Sequence, residues 1–466
     1  MSGAIQRDVV IVGGGLAGTA AALALSEPHT VTSGKGITLL DRRPALGGRA
    51  YSYEHPALAE TIDSQHVILG CCTNLIELME NAGAADTIRW YDELFFLEPN
   101  GNRSRLKPGV LPAPSHQAIS FLRAPMLGIA DKLGIARGLM EFLRGYPESD
   151  AESFATWLKR TKQTEPAIRH FWEPVVVGAL NDGFDNCSTK YAGKVFHESF
   201  LRSVEAGRLG IPALPLSEWL APLTDLARSH GVDVRTKTGM NSLEQIEGSR
   251  WRVSTDEAVF EASNVILAVD FRQTQSVLRG LPGGDSMAAS FEHFVAAPIT
   301  TIHLWYDREV IDLDHAVLLD TRIQWIFTKS RIRQWKAEQG TYLELVISAS
   351  WPELKMSREE ILAAALEELA MFFPAVKTAR LVKSGVLKEA RATFSVTPGL
   401  DKYRPSQKMQ WPGLYLAGDW TQTEWPSTME GAVRSGRLAA GELMGERMRY
   451  MAEELPAGGM MPLLVR

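Results

Sequence analysis

Two periods of apolar spacing alternate along this chain. Asp8–Val12 (DVVIV) and Ile37–Asp41 (ITLLD) are short β-branched runs of the kind that fill buried strands. Between them lie Gly13–Gly18 (GGGLAG) and the alanine-rich, helix-forming TAAALALS. The chain therefore opens as strand, glycine turn, helix, strand. GVDVRTKTGMNSLEQIEGSRWRVST, NVILAVD (Asn264–Asp270), ITTIHLWYD and TYLELVISAS are strand-like. Helical spacing governs DKLGIARGLMEFLRG, where Leu133, Ile135, Ala136, Leu139, Met140 and Leu143 recur on one side. It continues through DAESFATWLKR and AIRHFWEPVVVGALN. In SREEILAAALEELAMFF, Ser357 and Glu360 have the spacing of a capping box. Near the end, LYLAGD predicts a strand, and STMEGAVRSGRLAA a helix with Ser427 or Thr428 at its N-cap.

Composition narrows the class without changing this picture. The 466 residues suggest two or three domains, and a chain of that size needs no disulfide or metal staple. Three cysteines are too few for a disulfide framework, which fits a reducing compartment and a cytoplasmic location. The net charge is −6, with no basic stripe to neutralise phosphates, so nucleic acid is not an expected partner. The N-terminus lacks the layout of a signal peptide, and no apolar run is long enough to span a bilayer.

The first candidate chemistry is the glycine turn. Gly13 permits the tight bend, Gly15 lets the backbone approach a pyrophosphate, and Gly18 allows close helix–strand packing. Leu16 and Ala17 begin the helix, whose N–H groups and positive dipole end would face the phosphates. Asp41 ends the second strand, where an acid commonly bonds a ribose hydroxyl. TVTSGKG before it reads as a loop insertion. Arg42 follows, and then Gly47, Gly48 and Arg49. Paired glycines allow close backbone approach, and Arg49 offers a fixed cation for pyrophosphate. This GG-R segment resembles the second dinucleotide-binding signature of the flavin amine oxidase and phytoene desaturase superfamily.

Gly413–Ala440 (GLYLAGDWTQTEWPSTMEGAVRSGRLAA) is similar to the segment that closes the cofactor site in that superfamily. The resemblance implies FAD. It places Gly418 and Asp419 at the ribityl or pyrophosphate end, and the helix turn of Thr428, Met429, Glu430 and Ala432 at the flavin's carbonyl edge. It also puts Met240 near the adenine, although Met240 reads equally well as a core methionine. The implied fold class is α/β: a Rossmann-like FAD-binding domain of amine oxidase/phytoene desaturase type, with a mixed-sheet and helical substrate domain. The FAD-binding part is discontinuous, 1–80, 206–275 and 395–450. Residues 81–205 form a mostly helical insert, 276–394 an α+β substrate domain, and 451–466 a loose or docked tail.

DSQHVILGCCTN, Asp63–Asn74, admits three readings: a metal site, a thiol redox site, or a wall beside a reactive cofactor. Adjacent Cys71 and Cys72, with Cys187 far away, lack zinc-ligand spacing, so no metal is expected. A thiol relay wants its cysteines a few residues apart. Small buried lining residues fit the pair better. The segment resembles the squalene-associated FAD-dependent desaturase branch of the superfamily, the hydroxysqualene dehydroxylases. FWEPVVVGALND and GRLGIPALPLSEWLAPL resemble it too. Ser64 stands where that branch often has glycine.

That resemblance implies reductive dehydroxylation of hydroxysqualene to squalene, in squalene and hopanoid synthesis. Hydride would come from reduced flavin N5, with acid-assisted loss of water. His66, which titrates near neutrality, and Asp63, as a raised-pKa acid or an orienting group, are the catalytic candidates. Gln65, Cys71, Cys72, Trp420 and Trp425 are candidate substrate-lining residues. The implied partners are a lipophilic isoprenoid and an electron donor, NAD(P)H or a reductase. A peripheral contact with the cytoplasmic membrane face follows from the substrate's greasiness. For LGIARGLMEFL and LKPGVLPAP, periodicity favours plain core over a tunnel or membrane contact. Two alternatives stay open: an FAD-dependent amine oxidase or phytoene-type desaturase, and a non-catalytic flavin-containing lipid-binding partner of a squalene-synthase-like enzyme.

Overall fold

The computed structural model describes residues 3–27 and 36–464. The expected TVTSGKG insertion falls almost wholly outside them. The β-branched runs of the N-terminal third pair in parallel: Ile5–Val12 lies between Ile37–Leu40 and Val259–Leu267, and Asp233–Arg235 adds to Ile37–Leu40. Leu414–Leu416 joins Val259–Leu267 in parallel. Arg250–Thr255 and Met240–Ile246 continue antiparallel, completing a seven-stranded sheet. Its central strands are buried on both faces, which is why they read as unbroken apolar runs. Helix Leu16–Leu25 is buried along its whole length, and helix Met429–Leu443 packs on it. Gly436 makes this approach possible, because a Cβ there would meet the Ala17 carbonyl oxygen at 2.0 Å.

A second seven-stranded sheet runs in the order Leu381–Phe394, Ala296–Tyr306, Thr341–Ser348, Trp325–Thr328, His315–Leu318, Leu94–Leu97, Arg103–Leu106. One face is aliphatic: Ile302, Leu304, Leu343, Leu345 and Ile347 pack against Ile361, Ala365 and Leu369 of helix Arg358–Phe372. That helix starts with the expected capping box. Glu360 N–H donates to Ser357 Oγ (3.1 Å), and Ser357 N–H to the Glu360 carboxylate (2.7 Å).

Residues 81–205 are not mostly helical from their start. Ile88–Tyr91, Leu94–Leu97 and Arg103–Leu106 are strands, and two of them extend the second sheet. RSRL alternates exposed and buried residues as an edge strand does. The segment 206–212 also reaches across, because Leu209–Pro212 pairs with both Ile68–Leu69 and Ile88–Tyr91. The helix Ile129–Phe142 corrects a second expectation. Ile135 and Phe142 are in the core, whereas Leu133, Ala136 and Met140 face outward. Among the described residues no helix is long and apolar enough to cross a membrane.

Candidate functional site

Two glycine turns are stacked where the first sheet meets helix Leu16–Leu25. Gly47 N–H donates to the Gly14 carbonyl (2.8 Å), and a Cβ on Gly48 would come 2.9 Å from Gly15 Cα. Gly13 has φ +108, and a Cβ there would meet the Ala268 oxygen at 2.4 Å, so only glycine fits. Gly15 and Gly48 remain half-exposed. Helix Leu16–Leu25 has no side-chain cap, unlike the helices begun by Ser357, Asp270 or Thr428. Its first N–H groups are thus left for an anion.

Asp41 is buried beside this turn. One carboxylate oxygen accepts from Gly14 N–H (2.7 Å) and the other from Arg43 N–H (2.7 Å), each retaining a lone pair. Arg42 is exposed. Thr238 N–H donates to the Asp41 carbonyl, which brings Met240, half-buried, to the same corner. These residues fit the adenosine and pyrophosphate of an extended dinucleotide.

The C-terminal turn completes the cradle. Gly418 N–H donates to Ser435 Oγ (2.8 Å). Asp419 accepts from Arg49 Nη2 (2.5 Å) and from Ser427 Oγ (2.5 Å). Arg49 therefore joins the two ends of the chain through a carboxylate, its side chain still 45 % exposed. Thr428 is the N-cap, accepting from Gly431 N–H (3.0 Å). Thr428, Met429 and Ala432 stay partly open, but Glu430 is turned inward. Glu430 accepts from Asn74 N–H, Asn74 Nδ2 and Leu75 N–H, so its side chain caps the neighbouring helix Thr73–Asn81, and only its backbone is left for a cofactor. Burial holds its carboxyl above the usual range, against the pull of Arg434 and these donors.

A small recess lies beside the Arg49–Asp419 pair. Phe271, Phe394 and Trp420 give it an aromatic wall, and Arg272 and Arg391 stand at it with Asp270. Trp420 is fixed by Nε1–H donation to the Val269 carbonyl (3.1 Å). Trp425 is elsewhere, buried with Lys194 Nζ and the Arg434 guanidinium over its ring at 5.0 and 5.4 Å. It does not share the cleft wall with Trp420.

Around Asp63 stands a buried ion network that sequence reasoning missed. Lys329 Nζ reaches Asp63 Oδ1 (3.0 Å), Glu344 Oε2 (3.1 Å) and Gln65 Oε1 (2.8 Å). Arg333 approaches Asp63 at 3.5 Å. Gln65 N–H donates to Glu344 Oε1 (2.5 Å), and Leu216 N–H, at the start of helix Leu216–Ser229, donates to Asp63 Oδ2 (3.0 Å). Burial opposes ionisation of Asp63, but Lys329, Arg333 and the Leu216 N–H outweigh it and hold its carboxyl below the usual range. Asp63 is therefore an ionised anchor; of the two roles expected for it, the raised-pKa acid does not hold and the orienting group remains. The raised carboxyl is Glu344, pushed up by burial and by the Asp63 charge against the pull of Lys329.

The second sheet presents this network. Its non-aliphatic face carries Thr301, His303 and Trp305 opposite Val346, Glu344 and Tyr342. His303 is fully buried, with Thr301 Oγ1 (3.1 Å) and Tyr342 Oη (2.9 Å) at its two ring nitrogens. Burial pushes its pKa down to about 3. The signal was in the sequence: a histidine in TTIHLWY, a glutamate in YLELV, and a lysine directly after WIFT.

His66 is within electrostatic reach of both Arg49 and the Asp63–Lys329 pair. Nδ1 bonds the Ser64 carbonyl (2.8 Å), so Nδ1 carries the proton and Nε2 is left as an acceptor. Burial lowers its pKa, with Lys329 and Arg49 adding to the shift against Ser64 and Asp63. A neutral His66 is a better proton acceptor than donor at pH 7. Cys72 is buried at the start of helix Thr73–Asn81, and Cys71 packs on the same core cluster as Leu16 and Ala17. Cys72 is held protonated by its bond with Cys71 and by burial, which suits neither a metal nor a thiolate relay. Among the described residues no group of three His, Cys, Asp or Glu could hold a metal.

Comparison with known proteins follows this geometry. The sequence model of the family described as "Flavin containing amine oxidoreductase" matches residues 16–444. A probable zeta-carotene desaturase of Synechococcus elongatus is 27 % identical, over 93 % of this chain and 97 % of its own length. A 15-cis-phytoene desaturase of the same organism is 25 % identical over 93 % and 94 %. Among solved structures, putrescine oxidase superposes with a TM-score of 0.72 at 18 % identity, over 95 % of this chain and 100 % of that one. A putative protoporphyrinogen oxidase from Exiguobacterium gives 0.67 at 19 %, over 95 % and 99 %. At such identities the structural likeness speaks for the fold.

Proposed function

Because the chain belongs to the flavin-containing amine oxidoreductase family, with FAD as its cofactor, we propose that it exchanges hydride with a linear polyisoprenoid rather than with an amine. One observation carries the reading: the charges around the site are neutralised by one another. Lys329 lies between Asp63 and Glu344, and Asp419 is bonded by Arg49, so these three carboxylates are not left to hold an ammonium, while Asp270 caps helix Phe271–Arg279 and shares the cleft with Arg272 and Arg391. The cleft offers an aromatic wall, and its rim carries three arginines, Arg49, Arg272 and Arg391, against Asp270 and Asp419. The carotene-desaturating relatives act on such chains, as their names say.

Bound FAD supplies the two-electron acceptor or donor. Gly13, Gly15, Gly48 and the uncapped helix Leu16–Leu25 would hold its pyrophosphate, Asp41 its ribose, and the turn Thr428–Ala432 its ring edge. The protein's own share of the chemistry is positional. Lys329 and Glu344 fix Gln65 from both its backbone and its side chain, and so fix the neighbouring His66. The relatives favour desaturation over the dehydroxylation suggested by sequence resemblance. Desaturation removes hydride from one carbon and a proton from the next, and neutral His66 Nε2 suits the proton.

A second reading retains a specific support. DSQHVILGCCTN resembles the hydroxysqualene dehydroxylases, and its Asp63, Gln65 and His66 gather at the site. There the carbon–oxygen bond breaks, hydride enters at carbon, and a proton leaves with the hydroxyl as water. Anaerobic product analysis separates the two. Oxidised enzyme should convert phytoene or zeta-carotene to a product two hydrogens poorer. Squalene formed from hydroxysqualene by dithionite-reduced enzyme, with no carotene product, would instead establish dehydroxylation. Turnover of putrescine alone would remove both.

A further inference from the structure

The five most exposed large apolar side chains among the described residues are Val110, Leu463, Ile129, Leu133 and Leu122. At 91 %, 87 % and 80 % exposure, Val110, Leu463 and Ile129 are almost as open as in an unfolded chain. Single exposed leucines are ordinary, but these belong to one contiguous lobe. The loop of Val110 closes on helix Ala118–Arg123 through Ser120 Oγ, which donates to the Lys107 carbonyl (2.8 Å). Leu122 ends that helix, and its carbonyl accepts from Lys132 Nζ (2.8 Å), between Ile129 and Leu133. The C-terminal tail comes back to the same place, with Met460 N–H donating to the Ala113 carbonyl (2.8 Å) beside Leu463. The helix Ile129–Phe142 is thus apolar on two faces. Ile135 and Phe142 face the core, while Ile129, Leu133 and Met140 form an outward stripe at four- and seven-residue spacing.

Charge identifies the occupant. From Lys107 to Arg137 the chain carries Lys107, Arg123, Lys132 and Arg137 against the single acid Asp131, in a protein whose net charge is −6. Asp131 is itself engaged by Gly128 N–H (2.8 Å) and Thr164 Oγ1 (2.5 Å). A symmetric dimer through this surface would set the four cations against their own copies. Anionic headgroups would neutralise them while the apolar stripe enters the acyl boundary.

We propose that this lobe docks the protein on one face of an anionic bilayer, with Ile129 and Leu133 inserted and Arg123 and Lys132 at headgroup level. The inference rests on the surface alone and holds whichever substrate is used. Flotation of the full-length, flavin-loaded protein tests it, using phosphatidylcholine vesicles with and without phosphatidylglycerol. Partition should rise with the anionic lipid and fall with salt. Ile129→Ser with Leu133→Ser should lower it by about tenfold per side chain. Arg123→Gln with Lys132→Gln should lower it about fivefold per charge, on anionic vesicles only. Met448→Ser, exposed outside the lobe, should leave it unchanged. Flavin absorbance and far-ultraviolet dichroism establish that each variant is folded. Failure of the native protein to float with anionic vesicles overturns the proposal, as does native partition of the Ile129/Leu133 variant. A native dimer that this variant turns into a monomer, without vesicle binding by either, would assign the lobe to a second copy instead.

Discussion

Replacing Lys329 with methionine tests the buried network most sharply. The ammonium has three donors, and Asp63, Glu344 and Gln65 lie at 3.0, 3.1 and 2.8 Å from it. At an effective dielectric near 20, each carboxylate at that distance attracts it by about 5 kcal/mol before desolvation. Desolvation takes back most of this, and removal of one partner of such a buried pair costs about 3–5 kcal/mol net. Arg333, at 3.5 Å, still partners Asp63, so the lower half of that range is expected. Glu344 has no other cation in reach, and its carboxyl should take up a proton in the variant. Glu344→Gln alone should cost about 1–3 kcal/mol, because its single amide oxygen can accept from Gln65 N–H or from Lys329 but not from both. In the double variant the two losses should not add. Urea unfolding of the four proteins at pH 7 measures all of this. A Lys329→Met loss below about 1 kcal/mol, or strict additivity with Glu344→Gln, would refute the network as a coupled unit.

Three further outcomes follow from the same geometry. His303 binds its proton near pH 3 in the fold but near 6.5 when unfolded, so its stabilisation is complete above pH 6.5 and lost as pH falls towards 3. Between pH 6.5 and 5 that is about 2 kcal/mol, and urea unfolding of His303→Asn should lack this part of the decline. Gly15→Ala should fold normally, because a Cβ there meets nothing closer than Gly48 Cα at 3.7 Å, yet bind FAD at least tenfold more weakly by flavin titration; unchanged affinity would move the pyrophosphate elsewhere. His66→Gln should lower kcat on the order of 100-fold with little change in KM, and an unchanged kcat would end its role as proton acceptor.

The parts of this protein that could be read from sequence are those whose partners are near in the chain. Gly13–Gly18 follows its strand directly, and the Ser357–Glu360 box spans one helical turn. Gly48 needs only a local turn to reach Gly15. The network could not be read in this way. Asp63 meets Lys329 across 266 positions, and their meeting depends on where the loop after strand Glu60–Ile62 packs on the second sheet. Its trace was a charged residue at alternate positions of an otherwise apolar strand, a pattern that periodicity counts as noise. The Glu430 side chain was unreadable for a similar reason. The helix turn that carries it was recognised, but the direction of one side chain depends on where helix Thr73–Asn81 packs. The strands Leu94–Leu97 and Arg103–Leu106 are short; pairing with residues over 200 positions away places the first, and the second pairs back on it.

The central claim is that this flavin site serves a polyisoprenoid and not an amine. Anaerobic stopped-flow absorbance of the flavin tests it directly. Oxidised enzyme is mixed with phytoene, zeta-carotene or putrescine, and dithionite-reduced enzyme with hydroxysqualene. The account predicts a single-turnover change of flavin redox state with at least one isoprenoid and none with putrescine. Bleaching by putrescine, with a flavin silent towards every isoprenoid in both redox states, would contradict it.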